Sequence, residues 1–495
     1  MWIAAGTYKP HATSRWTSFE IPDGVKVYGG FAGTEAAFTP DDPETDTDED
    51  TRAKDEDGSF TNVTILSGDL SGDDDNSERP TRKKYENYDD FKTRLFASTY
   101  YATRDDNSES VVKMRGKSEL NGVMVTRGYS GYWGTNSAGV YALEGLRVTI
   151  SHCTFNNNNS SSSGGAIYAS RSTISYCIFN NNTASSSISR SYTTSYGGAI
   201  YADSYTSITH CIFTNNTAKY GGAIYAASSS ISHCIFNNNT ASSSISSSYT
   251  TSYSSGGAIY ARFFTITHCS FTNNTATGRY NTATGIYSGS NGGAISGGGK
   301  ISHCTFTNNS GDSCGGAIYV RSSTTTTTIT HCTFTNNTTS RFGGGVYIAD
   351  NSIRITLRNC IFWGNVADEA GGTNGDQIWN THTSIRYKPV FSHCLIQGGE
   401  DAIQGVRFHK VTKASIITAT SAAAIFVSVA DGAEDLHLKD GSPAIDAGDN
   451  DVVDGADNSW SPDDSDDVAW AVVGFSNTCK EACVVACCIV RVCLS

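Results

Sequence analysis

Charge is scarce in this 495-residue chain: Asp, Glu, Lys and Arg make up 17%, and the hydrophobic set only 38%. Both fall below the roughly 25% and 45–50% of ordinary globular proteins. Gly, Ser, Thr and Asn fill the gap. The net charge is −13 and no Lys/Arg stripe runs along the chain. That balance argues against nucleic acid as a partner, because nothing would displace counterions from a phosphate backbone. No basic amphipathic segment suits a membrane surface. The apolar run near the C-terminus, ACVVACCIVRVCL at 482–494, is shorter than a bilayer-spanning helix and contains Arg491, so no membrane span is predicted.

Carboxylates and lysines are rarer still in the middle of the chain. From Gly145 to Ser310 the only acidic side chain is Asp203, and the only lysines are Lys219 and Lys300. Glycoside hydrolysis ordinarily uses two carboxylates, and uronate lyases use basic groups and often a carboxylate-bound cation. Neither set is available there. No catalytic, cofactor-binding or metal-binding residue is assigned in the chain and no cofactor is expected; an enzyme would have to draw its carboxylates from the flanks.

What is present in abundance is a repeat. ISHCIFNNNTA at 231–241 has close copies at 151–158, 208–216, 266–274 and 301–309, and GGAIY recurs at 164–168, 197–201, 221–225, 256–260 and 315–319, with GGGVY at 343–347. Cysteine marks the repeat at 153, 177, 211, 234, 269, 304, 332, 360 and 394. Spacings that begin in the twenties, with no amphipathic helix between them, predict an all-β fold, a β-solenoid with three short strands per coil stacked about 4.8 Å apart. The inserts SSSISRSYTTSY (185–196) and SSSISSSYTTSYSS (242–255) fall between NNNTA and GGAIY, and TTTTT (324–328) falls in the other connection. Such variation belongs to loops leaving a coil's corners.

Parity within the unit locates a bend. Ile231 and Phe236 are five residues apart, so one straight strand would place them on opposite faces. If Ile231, Cys234 and Phe236 all point inward, the chain must turn at His233, in a left-handed backbone conformation that Asn, Asp and His tolerate best. The same position holds Tyr176 in SYCIF and Asn359 in RNCIF. His152, His210, His233, His268, His303 and His331 are therefore assigned to corners and the adjacent cysteines to the interior. A zinc site needs about four ligands converging on one point, whereas these pairs lie a coil apart. Stacked cysteines would also meet the separation of a disulfide; spacing alone leaves thiol or disulfide open.

Two further patterns have bland and chemical readings. Asn181, Asn215, Asn238, Asn273, Asn308 and Asn336 begin N-x-S/T triplets, the glycosylation pattern, but Asn in a turn is the favoured reading. GDLSGDDDNS (68–77) and DAGDNDVVDGADN (446–458) cluster carboxylates with glycine. Neither has an EF-hand spacing, and solvated acidic loops are favoured over calcium sites.

The alternation of GGAI with F-x-x-N, as in Gly222-Ala223-Ile224 and Phe213-Thr-Asn-Asn216, resembles the repeat of chlamydial polymorphic outer membrane proteins. WIAAGTYKP (2–10), VYGGFAGTE (27–35), TILSGDL (64–70) and GSPAIDAGDN (441–450) resemble the flanks of a wider group of bacterial surface proteins with right-handed parallel β-helices of the pectin-lyase type. The resemblance implies a secreted or surface-displayed, non-catalytic passenger or adhesin, with host-cell surface or glycan ligands as partners, and it carries over no site residues. It also implies a secretion signal and a cap ahead of WIAAGTYKP, so a truncated beginning is expected. The tail SNTCKEACVVACCIVRVCLS (476–495), with five cysteines, reads as a frameshift or as a cross-linking or lipid-bearing tail. The expected organisation is N-terminal coils with acidic insertions at 1–144, regular repeats at 145–400, C-terminal coils and an acidic cap at 401–475, and the cysteine tail. The rival readings are a carbohydrate-active enzyme and a structural or ice-binding solenoid; the latter needs a regular Thr face, against which the inserts speak.

Overall fold

The computed structural model describes residues 1–35, 52–55, 60–72, 107–131, 137–142, 147–185, 194–242, 253–278, 289–321, 326–349, 355–368, 377–381 and 389–405, with short strands at 280–281, 286–287, 416–417, 426–428 and 435–438. Two compact units divide at Ala218 and Lys219. Among the described residues there is no α-helix, and no helix long and apolar enough to cross a membrane. The acidic loops 73–77 and 446–458, the GSPAIDAGDN segment and the cysteine tail lie outside the described residues.

One coil of the second unit shows how the sequence makes the fold. Gly256 turns the chain at φ +69, and a Cβ on the next glycine, Gly257, would overlap the carbonyl oxygen of Gly293 in the coil that follows. The pair is glycine for two different reasons, backbone angle and close approach. Ile259–Thr267 forms the first face, Ser270–Thr272 the second and Thr275–Thr277 the third. Left-handed residues separate the faces: His268 at φ 53 before the second, Asn273 at φ 55 before the third.

Among the described residues, equivalent strands of successive coils pair in parallel, in register on the second and third faces and with a register shift on the first face at Arg262/Phe264. In the second unit, Ile235–Asn237 pairs with Ser270–Thr272, which pairs with Thr305–Thr307, then Thr333–Thr335, Ile361–Trp363 and Cys394–Ile396. In the first unit, Gly6–Tyr8, Thr64–Ser67, Val123–Thr126, Thr154–Asn156, Ile178–Asn180 and Ile212–Thr214 pair in the same manner. The fold is a right-handed parallel β-helix, three strands per coil. One refinement escapes the sequence: among the described residues the first face is continuous at Ile259–Thr267 and Ile295–Ser302, whereas it breaks into two short strands at Ile167–Ala169 and Thr173–Ser175.

Stacking equivalent residues turns the interior into columns. In the first unit Phe155, Phe179 and Phe213 stack at 4.9 and 4.7 Å. In the second unit Phe236, Phe271, Phe306, Phe334 and Phe362 stack at 4.7, 4.8, 4.8 and 4.5 Å, all fully buried. The coil repeat sets the ring separation, so each ring is buried by the same residue above and below.

The charged N-terminal flank is more structured than its composition suggests. Arg52 is 4% exposed, donates to Gly29 O and Asn121 Oδ1 at 2.8 Å each, and lies 4.0 Å over the Phe60 ring. Its guanidinium is a cation–π and hydrogen-bond anchor within residues 1–144, the part of the chain expected to carry acidic insertions.

Candidate functional site

The recurrent His-Cys pair is a corner and a core residue. His152, Tyr176 and His210 in the first unit, and His233, His268, His303, His331, Asn359 and His393 in the second, all have φ between 52 and 54. Cys153, Cys177, Cys211, Cys234, Cys269, Cys304, Cys332, Cys360 and Cys394 are buried. The imidazoles of His233, His268, His303 and His331 stack at 4.9, 4.8 and 4.8 Å with interplanar angles of 1–4°. Imidazole lone pairs lie in the ring plane, so parallel stacked rings aim past one another rather than at one ion. Among the described residues no three His, Cys, Asp or Glu side chains group to hold a metal.

Electrostatics follows from this packing. Burial, with His233 stacked beside it, pushes the His268 imidazole below its ordinary value. Burial raises the thiols of Cys153, Cys269 and Cys332 well above the usual range. Cys153, Cys177, Cys269, Cys304, Cys332, Cys360 and Cys394 are free thiols. A dry thiol without access to a thiolate is a poor nucleophile, and Cys153, Cys269 and Cys332 behave as small apolar residues with a weak S–H bond, such as that from Cys269 Sγ to Thr267 O at 3.2 Å.

The residues that sequence reasoning missed are the second asparagines. Asn157, Asn181, Asn215, Asn238, Asn273, Asn308 and Asn336 take φ of 53–56, as a turn role predicts. The asparagine after each is buried and forms a column. In the first unit both the main-chain N–H and the side-chain amide of Asn182 donate to Asn216 Oδ1, at 3.0 and 3.1 Å, and its second amide proton goes to Phe155 O at 2.9 Å. In the second unit the pattern runs from Asn239 through Asn274, Asn309 and Asn337 to Asn365. Gln377 receives the last amide at 2.7 Å. Every amide donor and both oxygen lone pairs of an interior column member are used, which is what a buried carboxamide requires. A signal existed: CIFWGN replaces the first asparagine by Gly364, at φ 66, and keeps Asn365.

Asp69, within the 68–77 cluster, is not a solvated carboxylate. It is 2% exposed, accepts from Arg127 Nη1 at 2.7 Å and from Gly72 N at 2.6 Å. The arginine and the turn amide occupy its oxygens, which corrects the loop reading for this residue.

Outward-facing aromatics form the remaining regular feature. The tyrosines that follow the glycine corners stack along the first face, Tyr168 on Tyr201 at 4.8 Å in the first unit and Tyr319 on Tyr347 at 5.3 Å in the second, while Tyr141 tilts 46° against Tyr168 at 5.5 Å. Burial raises the Tyr347 phenol to about 12.

Phe-x-x-Asn thus supplies one core ring and one column amide, and Gly-Gly-Ala-Ile supplies the tight corner and the next strand. Residues 152–170 and 176–203 match the Chlamydia polymorphic membrane protein repeat, and each stretch holds one copy of both elements. Both stretches are similar to the polymorphic membrane protein repeat. Residues 196–396 match the right handed beta helix region, so the repeat and the helix overlap in the chain at 196–203. In geometric terms the motif residues of the matched stretches build the coil: Phe155, Phe179, Asn158 and Asn182 face inward, and Gly164 and Gly197 close corners. No curated protein matches the chain.

Proposed function

We propose that the chain is a non-catalytic binding scaffold of the polymorphic outer membrane protein type, displayed at a bacterial surface and acting in adhesion to host-cell surface or glycan ligands. The observation that carries this reading is the division of labour within a coil. Phe, Cys, His, Asn and the Gly-Gly pair are engaged in columns and corners, while variation is confined to connections. The insert 185–196 follows the third-face strand Thr183–Ala184, and the insert 242–255 begins at the last residue of Thr240–Ser242; both run to the glycine corner. Segments rich in Ser and Tyr suit adaptable contacts. On this reading residues 145–400 present the binding surface and 1–144, 401–475 and 476–495 flank it.

The test is saturable binding of the purified chain to host cells, with parallel incubation on acidic and neutral polysaccharides. Binding without release of new reducing ends or unsaturated uronates supports the proposal. Turnover of a polysaccharide would replace it with the enzyme reading.

A further inference from the structure

Midway along the first face, four coils hold a non-glycine residue in a left-handed conformation: Arg171 (φ 53) and Tyr205 (φ 48) in the first unit, Ser228 (φ 55) and Phe263 (φ 56) in the second, the last within the continuous strand Ile259–Thr267 at its register shift. Ser228 shows that the corner closes without a ring. Tyr205 is 70% exposed, so its ring adds little packing, and a bulky residue carries strain in this region of backbone space. An exposed ring held against strain with no packing return is a candidate for function.

Its neighbours have the chemistry to complete a site. Arg171 N donates to Ser204 O at 2.7 Å, and Arg171 and Tyr205 hold the same position in adjacent coils. Asp203, the single carboxylate between Gly145 and Ser310, donates its main-chain N–H to Ala169 O at 3.2 Å. Ala202 is fully buried, so strand alternation turns Asp203 outward beside Tyr201. Arg171 and Asp203 are both exposed. By backbone register, then, Arg171 lies one coil before Tyr205 and Asp203 two residues before it, all three exposed, and the two charges cancel.

We propose that Tyr205, Arg171 and Asp203 form a binding site for a neutral pyranose within an oligosaccharide. The apolar C–H face of the sugar stacks on the Tyr205 ring, and vicinal hydroxyls bridge the Asp203 carboxylate and the Arg171 guanidinium through charge-assisted bonds. An anionic sugar would face Asp203 with no second cation to offset it. This site rests on the surface-binding reading and supplies it with a ligand class.

The test is a panel of immobilised neutral oligosaccharides, followed by calorimetry with the best binder. Wild type is expected to bind, Tyr205→Ala to weaken binding at least tenfold, Asp203→Asn to weaken it several-fold, and Tyr205→Trp to retain it. Phe263→Ala, at the equivalent corner of the second unit, is expected to leave affinity unchanged. Unaltered binding by Tyr205→Ala overturns the site. Binding to host cells with no retention of any neutral oligosaccharide also overturns it while leaving the surface-binding reading in place, which suggests a protein partner instead. Failure to bind host cells, with oligosaccharide binding that depends on Tyr205, sustains the site and removes the adhesion reading.

Discussion

The side-chain oxygen of Asn309 accepts two hydrogen bonds from Asn274, one from its main-chain N–H and one from its side-chain amide, both at 3.0 Å. This double bond between successive coils ties the third corner of one turn to the next. It also explains why two adjacent asparagines in one motif have different fates.

Asn274→Ala removes the acceptor used by the Asn239 N–H and side-chain amide, and the donor to Phe236 O. Each orphaned buried group costs about 1–3 kcal/mol, so a loss of about 3 kcal/mol or more is expected. Asn273, exposed at φ 55, tolerates glycine by the precedent of Gly364, and Asn273→Gly is expected to change stability by less than about 1 kcal/mol. Urea midpoints of the two variants, compared with wild type, check the contrast; equal losses would remove the column from the stability of the coil.

Phe236 is fully buried and stacked on Phe271, and His233 turns a corner at φ 53. Phe236→Ala is expected to cost about 3–5 kcal/mol as a large-to-small core change. His233→Asn is expected to leave the unfolding midpoint nearly unmoved, because Asn359 occupies the same corner at φ 52. Equal tolerance of both substitutions would contradict the inward placement of Phe236.

The His268 imidazole is held below its ordinary value by burial and by its stacked neighbour His233. A histidine whose folded value lies below its unfolded value binds more protons when unfolded. Its stabilising contribution is therefore complete above roughly pH 6.5 and is lost as the pH falls through that value toward the depressed folded one. Urea midpoints measured from pH 8 to 5 should decline more steeply for wild type than for His268→Asn. Parallel profiles would show that the imidazole column does not link protons to folding.

Cys153, Cys269 and Cys332 are buried with raised thiol values, whereas Cys314 is half-buried. Pulsed alkylation followed by peptide mapping is expected to label Cys314 in the folded chain and the column cysteines only in denaturant. Early labelling at Cys269 would mean that the column opens without global unfolding.

Much of the coil was legible before its structure. The five-residue offset between Ile231 and Phe236 forces a bend at His233, and Tyr176 and Asn359 at the same position point to backbone tolerance rather than ligation. Three things were not legible, each for a physical reason. Two identical asparagines in NNT hide a turn residue and a column residue, and only the Gly364-Asn365 pair separates them. The Asp69–Arg127 ion pair joins residues 58 apart, beyond the reach of local pattern, so Asp69 reads as one more loop acid. Arg171, Tyr205 and Ser228 take left-handed angles at the break in the first face, which their types do not announce, and Phe263 takes the same angle without a break.

The most direct test of the claim that the repeated His-Cys motif builds and the outer surface binds is host-cell binding by the variant carrying His233→Asn, His268→Asn, His303→Asn and His331→Asn, measured beside wild type with circular dichroism on both. The expected result is an unchanged β spectrum and the same half-saturation for the two proteins. A variant that keeps its spectrum but loses binding would contradict the claim and make the imidazole column itself the functional site.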